Sequence, residues 1–189
     1  VEFQCSATPC GWRGVPQPRI GTPMNTIAQR ITPRGEIVGC YHDYNTASTM
    51  FGMTLTANGT NCITTPASMH NGMTPDGRTI AGLYTLLGKG RGYLIEDGVF
   101  TPFDVPGSIF TAAWDISPTG EVVGVYRSLD NKLHGFLWDN EGFTTIDYPG
   151  ASATRAYGIN AGGDIVGDYV DSGSQRHGFL ASRTQWHNR

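Results

Sequence analysis

The residues best suited to chemistry in this sequence are a few charged, amide and aromatic side chains that stand about 42 residues apart. Guanidinium groups pair with carboxylates, amides both donate and accept hydrogen bonds, and aromatic rings offer flat apolar faces with a polar edge. Such a set is typical of a site for a glycan or another small polar molecule. The candidate ligand-binding residues are Arg30, Asn71, Trp114, Asp115, Arg155 and Tyr157.

His70 allows a second interpretation, in which the same region is catalytic. An imidazole titrates near neutral pH and serves as a general acid or base. With Arg155, Asp115 and Tyr157 it would equip a small secreted lyase or hydrolase. No complete catalytic triad, metal-ligand spacing or cofactor motif accompanies it, so we prefer a non-catalytic binding module without metal or cofactor and leave open whether the protein is an enzyme.

The N-terminal segment contains a further candidate binding element. Residues 11–21 are rich in Gly and Pro, and they include Trp12 and Arg13. A loop of about a dozen residues added to a tight scaffold is a common place for binding groups. We expect Trp12 and Arg13 to contact a ligand, with a plain linker as the alternative.

The elements that must position these side chains follow from an internal repeat of 42 to 43 residues. Four turns with a polar first residue and a glycine at the end fix its register, and each is followed by an apolar strand that reaches a tyrosine. Each turn therefore joins two antiparallel strands. The turns are at 32–35, 74–77, 117–120 and 160–163, and the tyrosines are Tyr41, Tyr84, Tyr126 and Tyr169.

Each repeat is long enough for four short strands, which is the size of one propeller blade. We predict an all-β fold, a four-bladed β-propeller that forms one domain over residues 1–189. The last unit lacks its outer strand, and residues 2–5 could supply it, either by closing the ring or by pairing with a neighbouring copy. An N-terminal strand and Pro-rich loop in 1–23 precede repeats at about 24–69, 70–110, 111–153 and 154–189.

The first strand of each blade is predicted to line a central channel. Arg30 and Asp115 then belong to opposite blades and face each other across the axis, as an ion pair or as part of a ligand site. His70, Trp114 and Arg155 are predicted at the channel entrance. Strict alternation along a strand separates two sets of residues, only one of which points to the channel. The first set is Gln29, Asn71, Trp114 and Tyr157. The second set is Arg30, Gly72, Asp115 and Gly158.

Several repeated motifs resemble a known family. His-Gly-Phe-Leu occurs at 134–137 and 177–180, Phe-Thr-Thr-Ile-Asp-Tyr-Pro-Gly-Ala at 143–151, and Gly-Ile-Asn-Ala-Gly-Gly-Asp-Ile-Val-Gly at 158–167. These motifs resemble the HAF repeat of bacterial extracellular repeat proteins, over about residues 24 to 186. The resemblance implies secretion and a propeller-like fold, and it carries no general activity.

The composition restricts the partners. Only 15% of the residues are charged, the net charge is −3 and the basic residues are scattered, so the sequence has no basic surface of the kind that wraps nucleic acid. No apolar run approaches the ~20 residues that span a bilayer. We expect neither nucleic acid nor membrane insertion, and instead a small polar ligand, a glycan or further copies of the chain.

Four cysteines favour a secreted protein, and the chain begins at Val1 as it would after removal of a leader. Cys5 and Cys10 are the easiest pair, which leaves Cys40 with Cys62. In the repeat register the latter two lie on the second and fourth strands of one sheet, about 10 Å apart at ~4.8 Å per strand and beyond disulfide reach in a regular unit. We predict Cys5–Cys10 and Cys40–Cys62, with the other pairings still open.

Overall fold

The computed structural model describes residues 25–43, 49–56, 59–62 and 67–183. In these residues fifteen β-strands form four antiparallel sheets, and each sheet uses consecutive strands as neighbours. The predictions of an all-β fold and of antiparallel hairpin units are therefore confirmed. Among the same residues, no helix is long and apolar enough to cross a membrane.

The strands are numbered in chain order. Sheet 1 contains β1 (Asn25–Ile31), β2 (Ile37–Asp43), β3 (Thr49–Thr56) and β4 (Gly59–Cys62). Sheet 2 contains β5 (Ser68–Met73), β6 (Thr79–Leu86), β7 (Lys89–Glu96) and β8 (Val99–Phe103). Sheet 3 contains β9 (Phe110–Ile116), β10 (Val122–Arg127), β11 (Leu133–Asp139) and β12 (Gly142–Ile146). Sheet 4 contains β13 (Ala153–Ile159), β14 (Ile165–Val170) and β15 (Arg176–Ala181).

The four repeated turns close the first hairpin of each sheet. In sheet 3, Gly120 N–H donates to Ser117 O at 3.0 Å, and Gly120 has φ +89°. That left-handed conformation is open to glycine without steric cost, which explains why glycine ends each turn. The equivalent glycines, all with positive φ, are Gly35, Gly77 and Gly163.

The first strand of every sheet contains a β-bulge at the same place. In β9 the pairing with β10 passes from Ala113 to Asp115, so Trp114 is the extra residue. A bulge bends its strand and changes the direction of nearby side chains, and such bulges are enriched beside functional sites. The bulge residues of the four sheets are Gln29, Asn71, Trp114 and Tyr157.

The bulge also explains the glycine that precedes each repeated tyrosine by two positions. A Cβ atom added to Gly124 would lie 2.1 Å from the carbonyl oxygen of Ala112, within the first strand, and 2.6 Å from the Phe136 ring. No side chain fits at that distance. Equivalent contacts with the first strand occur at Gly39, Gly82 and Gly167.

Three buried apolar clusters join the sheets in order. Val38 of sheet 1 packs against Met73 and Ile80 of sheet 2. The second cluster joins sheets 2 and 3, and the third joins sheets 3 and 4. Within the described part of the chain, no such cluster joins sheet 4 to sheet 1.

The predicted Cys40–Cys62 disulfide is wrong, because Cys40 has a free, buried thiol. The register places Cys62 opposite Met53, and Met53 opposite Gly39, so strand β3 lies between the two cysteines. Burial raises the pKa of the Cys40 thiol and keeps it protonated. Cys5 and Cys10 lie outside the described residues.

Candidate functional site

The four bulges converge on one cavity of about 290 Å³. Because a bulge interrupts strict alternation, residues from both of the predicted sets line this cavity. Arg30 and Gly158 reach it together with the bulge residues, although alternation had separated them. The lining residues are Gln29, Arg30, Asn71, Trp114, Tyr157, Gly158 and Val166.

An ion pair between sheets 1 and 3 connects their first strands beside this cavity. Arg30 Nε and Nη2 donate to Asp115 Oδ1 and Oδ2 at 3.1 and 2.7 Å, and Nη2 also lies 3.2 Å from Tyr157 O. Asp115 Oδ2 accepts a further hydrogen bond from Ile159 N–H at 3.1 Å. The predicted contact between Arg30 and Asp115 is therefore present, and it joins sheets 1, 3 and 4.

Replacing Asp115 by asparagine should lower the free energy of unfolding by about 2 kcal/mol, because two charge-assisted hydrogen bonds to Arg30 lose their carboxylate. Asp115 is 10% exposed in its side chain and Arg30 is 41% exposed, so water compensates only the arginine. Urea unfolding would measure the loss. Asp97→Asn, at an exposed turn, is the matched control and should change little. Equal stability of both variants would contradict a structural role for the pair.

Asn71 is a polar residue of the cavity wall with one unpaired side-chain atom. Its side chain is almost fully buried, and its Nδ2 donates to Ala113 O at 2.7 Å. That bond fixes the orientation of the amide. The remaining atom, Oδ1, is buried without a hydrogen-bond partner. An unpaired buried acceptor costs free energy, so a ligand that donates a hydrogen bond here would restore it.

Two aromatic rings form another part of the wall. Trp114 and Tyr157 are perpendicular, with centroids 5.3 Å apart. Desolvation raises the pKa of the Tyr157 phenol, and the neighbouring Asp168 carboxylate adds to the shift. Tyr157 is therefore a neutral hydrogen-bonding group at physiological pH.

Arg155 does not line the cavity. Its Nη1 donates to Asp168 Oδ1 at 2.8 Å, next to Tyr157. The guanidinium therefore contacts Asp168, whose carboxylate lies near the Tyr157 phenol.

His70 does not lie at the channel entrance, contrary to the prediction. It is fully buried, and Gly52 packs against its ring. Tyr93 OH donates to Met69 O at 3.0 Å, so the imidazole Nδ1–H must donate to Tyr93 OH, 2.5 Å away, while Nε2 has no partner. Desolvation lowers the pKa of His70 to about 4. The proposed catalytic set of His70, Arg155, Asp115 and Tyr157 is consequently not assembled.

A second cavity of about 400 Å³ was not anticipated from the sequence. It includes Trp138 and Glu121, between sheet 3 and the residue Arg183 that follows sheet 4. Glu121 already accepts hydrogen bonds from Arg183, from Ser117 at 3.2 Å and from Thr119. Because the Glu121 carboxylate is already hydrogen-bonded, this cavity offers a ligand fewer free hydrogen-bonding groups than the cavity beside Asn71.

Two of the predicted binding residues, Trp12 and Arg13, lie outside the described residues. Among the residues that are described, no group of three or more His, Cys, Asp or Glu side chains could hold a metal ion.

Comparisons with known proteins indicate the fold. No protein-family model and no curated protein matches the sequence. TolB from Acinetobacter baumannii superposes with a TM-score of 0.63 at 17% identity, over 86% of this chain and 42% of that structure. A putative TolB from Agrobacterium tumefaciens superposes with a TM-score of 0.63 at 15% identity, over 82% of this chain and 60% of that structure.

The described chain has a β-propeller-like fold. It spans less than two thirds of the length of either TolB structure, and the low identities carry information about the fold alone.

Proposed function

We propose that the protein is a secreted, non-catalytic module that binds a small neutral polar molecule, such as a glycan unit, in the cavity beside Asn71. The observation that carries this proposal is Asn71, a residue of the cavity wall whose buried Oδ1 lacks a hydrogen-bond partner. A hydroxyl or amide N–H of the ligand would donate to it.

Charge favours a neutral ligand over an acid. The carboxylate of Asp115 neutralises Arg30, the cationic residue of the cavity wall, through two hydrogen bonds. A carboxylate ligand would have to compete with Asp115 for the guanidinium, and it has no proton to give to Asn71 Oδ1. A hydroxyl-rich ring avoids both costs and has an apolar face for Trp114 or Tyr157.

Binding of mono- and disaccharides, measured by ligand-observed NMR, tests this proposal. We expect at least one neutral sugar to bind more tightly than its uronic acid, and Asn71→Ala to weaken that binding about tenfold through loss of one buried hydrogen bond. Asn140→Ala, at an exposed turn, is the control and should bind as the parent does. No saturable binding across the panel, or equal binding by Asn71→Ala, would overturn the proposal.

We also infer that the four sheets make a four-bladed ring. Its support is the contact of Arg30 with Asp115 and with Tyr157 O, which brings the first strands of sheets 1, 3 and 4 to one point. Gly72 extends this arrangement to sheet 2, since a Cβ atom there would lie 2.7 Å from Asp115 Cα. Additional sheets between sheets 4 and 1 would separate Arg30 from Tyr157.

The lyase or hydrolase alternative receives less support. Its general base, His70, is enclosed between sheets 1 and 2 and has a pKa of about 4, so it neither reaches a ligand in the cavity nor titrates near neutral pH. Secretion, membership of the HAF-repeat family and self-assembly stay predictions. Their support is the four cysteines for secretion, the repeated motifs for the family, and the N-terminal strand predicted to pair with a neighbouring copy for self-assembly.

A further inference from the structure

A serine, a histidine and an aspartate around the turn between β10 and β11 are connected in the order of a Ser–His–Asp triad. Ser128 Oγ lies 3.1 Å from His134 Nε2, and His134 Nδ1 lies 3.0 and 2.9 Å from the two carboxylate oxygens of Asp147. Because a carboxylate only accepts hydrogen bonds, Nδ1 carries a proton, and in the neutral ring the lone pair of Nε2 faces Ser128. The imidazole is therefore placed to take the proton of the hydroxyl.

Two further contacts hold the His134 ring in this position. The ring stacks on Tyr126, its partner residue on β10, with centroids 4.9 Å apart and 19° between the planes. Tyr126 OH is in turn hydrogen-bonded to Thr145 on β12 at 2.9 Å. The histidine side chain is 13% exposed. A base that is fixed in one orientation by its neighbours needs little reorganisation before it accepts a proton.

The Ser128 hydroxyl has more acceptors within reach than protons to give. It contacts Asp130 Oδ1, and it lies 3.2 Å from Lys132 O in addition to its contact with His134 Nε2. One proton cannot satisfy three acceptors, so rotation about the Cβ–Oγ bond moves it between them. Only the orientation toward His134 leads to proton transfer, and Asp130 competes with it.

Of the four sheets described, sheet 3 alone places a serine beside this histidine. Sheet 4 repeats the histidine as His177, but there Nε2 binds a carboxylate oxygen of Asp171 at 2.8 Å. Sheets 1 and 2 have Phe51 and Arg91 at the position of the histidine. In sheet 3 a potential nucleophile thus takes the place of the carboxylate that binds Nε2 in sheet 4.

We propose that Ser128 is a nucleophile that accepts an acyl group from an activated carboxylic ester, with His134 as its general base and Asp147 as the positioning residue of the imidazole. Ser128 Oγ attacks the carbonyl carbon while its proton passes to His134 Nε2. The bond between the acyl carbon and the leaving oxygen then breaks, and the leaving alcohol takes the proton from Nε2. The products are an acylated serine and a free alcohol.

The surroundings of Ser128 indicate the class of acyl donor. The turn is open to solvent, and Leu129, which follows the serine, is 81% exposed. A substrate therefore needs no cavity to reach the hydroxyl, but an open site gives the developing oxyanion little stabilisation. Esters with a good leaving group, such as aryl esters, are the expected donors. The site shares no residue with the cavity beside Asn71, so the proposal does not depend on ligand binding there.

Reaction with p-nitrophenyl acetate, followed by mass spectrometry of the resulting peptides, tests the proposal. We expect an acetyl group on Ser128, and acetylation of that residue about 100-fold slower in His134→Gln. His177→Gln makes the same change at the equivalent position of sheet 4 and should react as the parent does. Labelling confined to lysines and the N-terminus, or an equal rate at Ser128 in His134→Gln, would overturn the proposal.

Two carboxylates of the same cluster separate activation of the serine from stability of the turn. Asp147→Asn should slow acetylation of Ser128 about tenfold or more, because the amide can donate to Nδ1 and so move the imidazole proton to Nε2. The ring nitrogen chemical shifts of His134 should report that change of tautomer, which a loss of stability alone does not produce. Asp130→Ala removes the competing acceptor and should react at least as fast as the parent. Loss of the reaction in Asp130→Ala, or an unchanged rate in Asp147→Asn, would contradict the assigned roles.

Discussion

Replacing Gly124 by alanine should lower the free energy of unfolding by about 3 kcal/mol or more. The added methyl group would lie 2.1 Å from the carbonyl oxygen of Ala112 and 2.6 Å from the Phe136 ring. The oxygen belongs to the backbone of a bulged strand that also carries the Trp114 wall of the cavity, so it cannot move away without disturbing the pairing of β9 with β10. We expect a larger loss of stability here than from Asp115→Asn.

Gly178→Ala is the matched control for that experiment. It makes the same chemical change within a strand, yet the nearest described atom outside its chain neighbours is 3.9 Å from the added carbon. Urea unfolding of the two variants would compare them directly. A loss below about 0.5 kcal/mol in Gly124→Ala would contradict the bulge geometry at Ala112.

Lowering the pH from 7.5 to about 4 should lower the free energy of unfolding, and His70 should account for about 3 kcal/mol of the loss. The pKa of His70 is about 4 in the folded protein, compared with the ordinary value of 6.5 that applies to the unfolded chain. Between these values the unfolded chain binds a proton that the folded chain does not. The contribution of His70 is therefore complete above pH 6.5 and is lost as the pH falls through the window.

Two substitutions identify the responsible residue. Unfolding by urea at several pH values should show a steep pH dependence in the parent and a shallow one in His70→Leu. His177→Ala removes a half-exposed imidazole and should leave the dependence largely intact. Because Asp76, Asp130 and Asp171 have pKa values lowered from 3.8, their titration lies below this window. An equally steep dependence in His70→Leu would contradict the assignment.

The candidate site shows how far local patterns predict geometry. Period-two alternation placed Gln29, Asn71, Trp114 and Tyr157 in one set and Arg30 in the other, whereas residues of both sets line the cavity. The reason is the bulge, an extra residue in each first strand that alternation does not include. The glycine opposite each bulge was visible in the sequence as a repeated residue, and it was the available signal.

The sequence by itself determined the repeat, the hairpin turns and the strand order, because these depend on local chemistry such as a glycine with positive φ at Gly120. It also determined that Arg30 and Asp115 meet, since equivalent positions of a repeat occupy equivalent places in the fold. Only the tertiary structure decided that His70 is enclosed and that Cys40 keeps a free thiol. Burial and the spacing of strands depend on what the neighbouring sheet places against each side chain, and no local pattern contains that information.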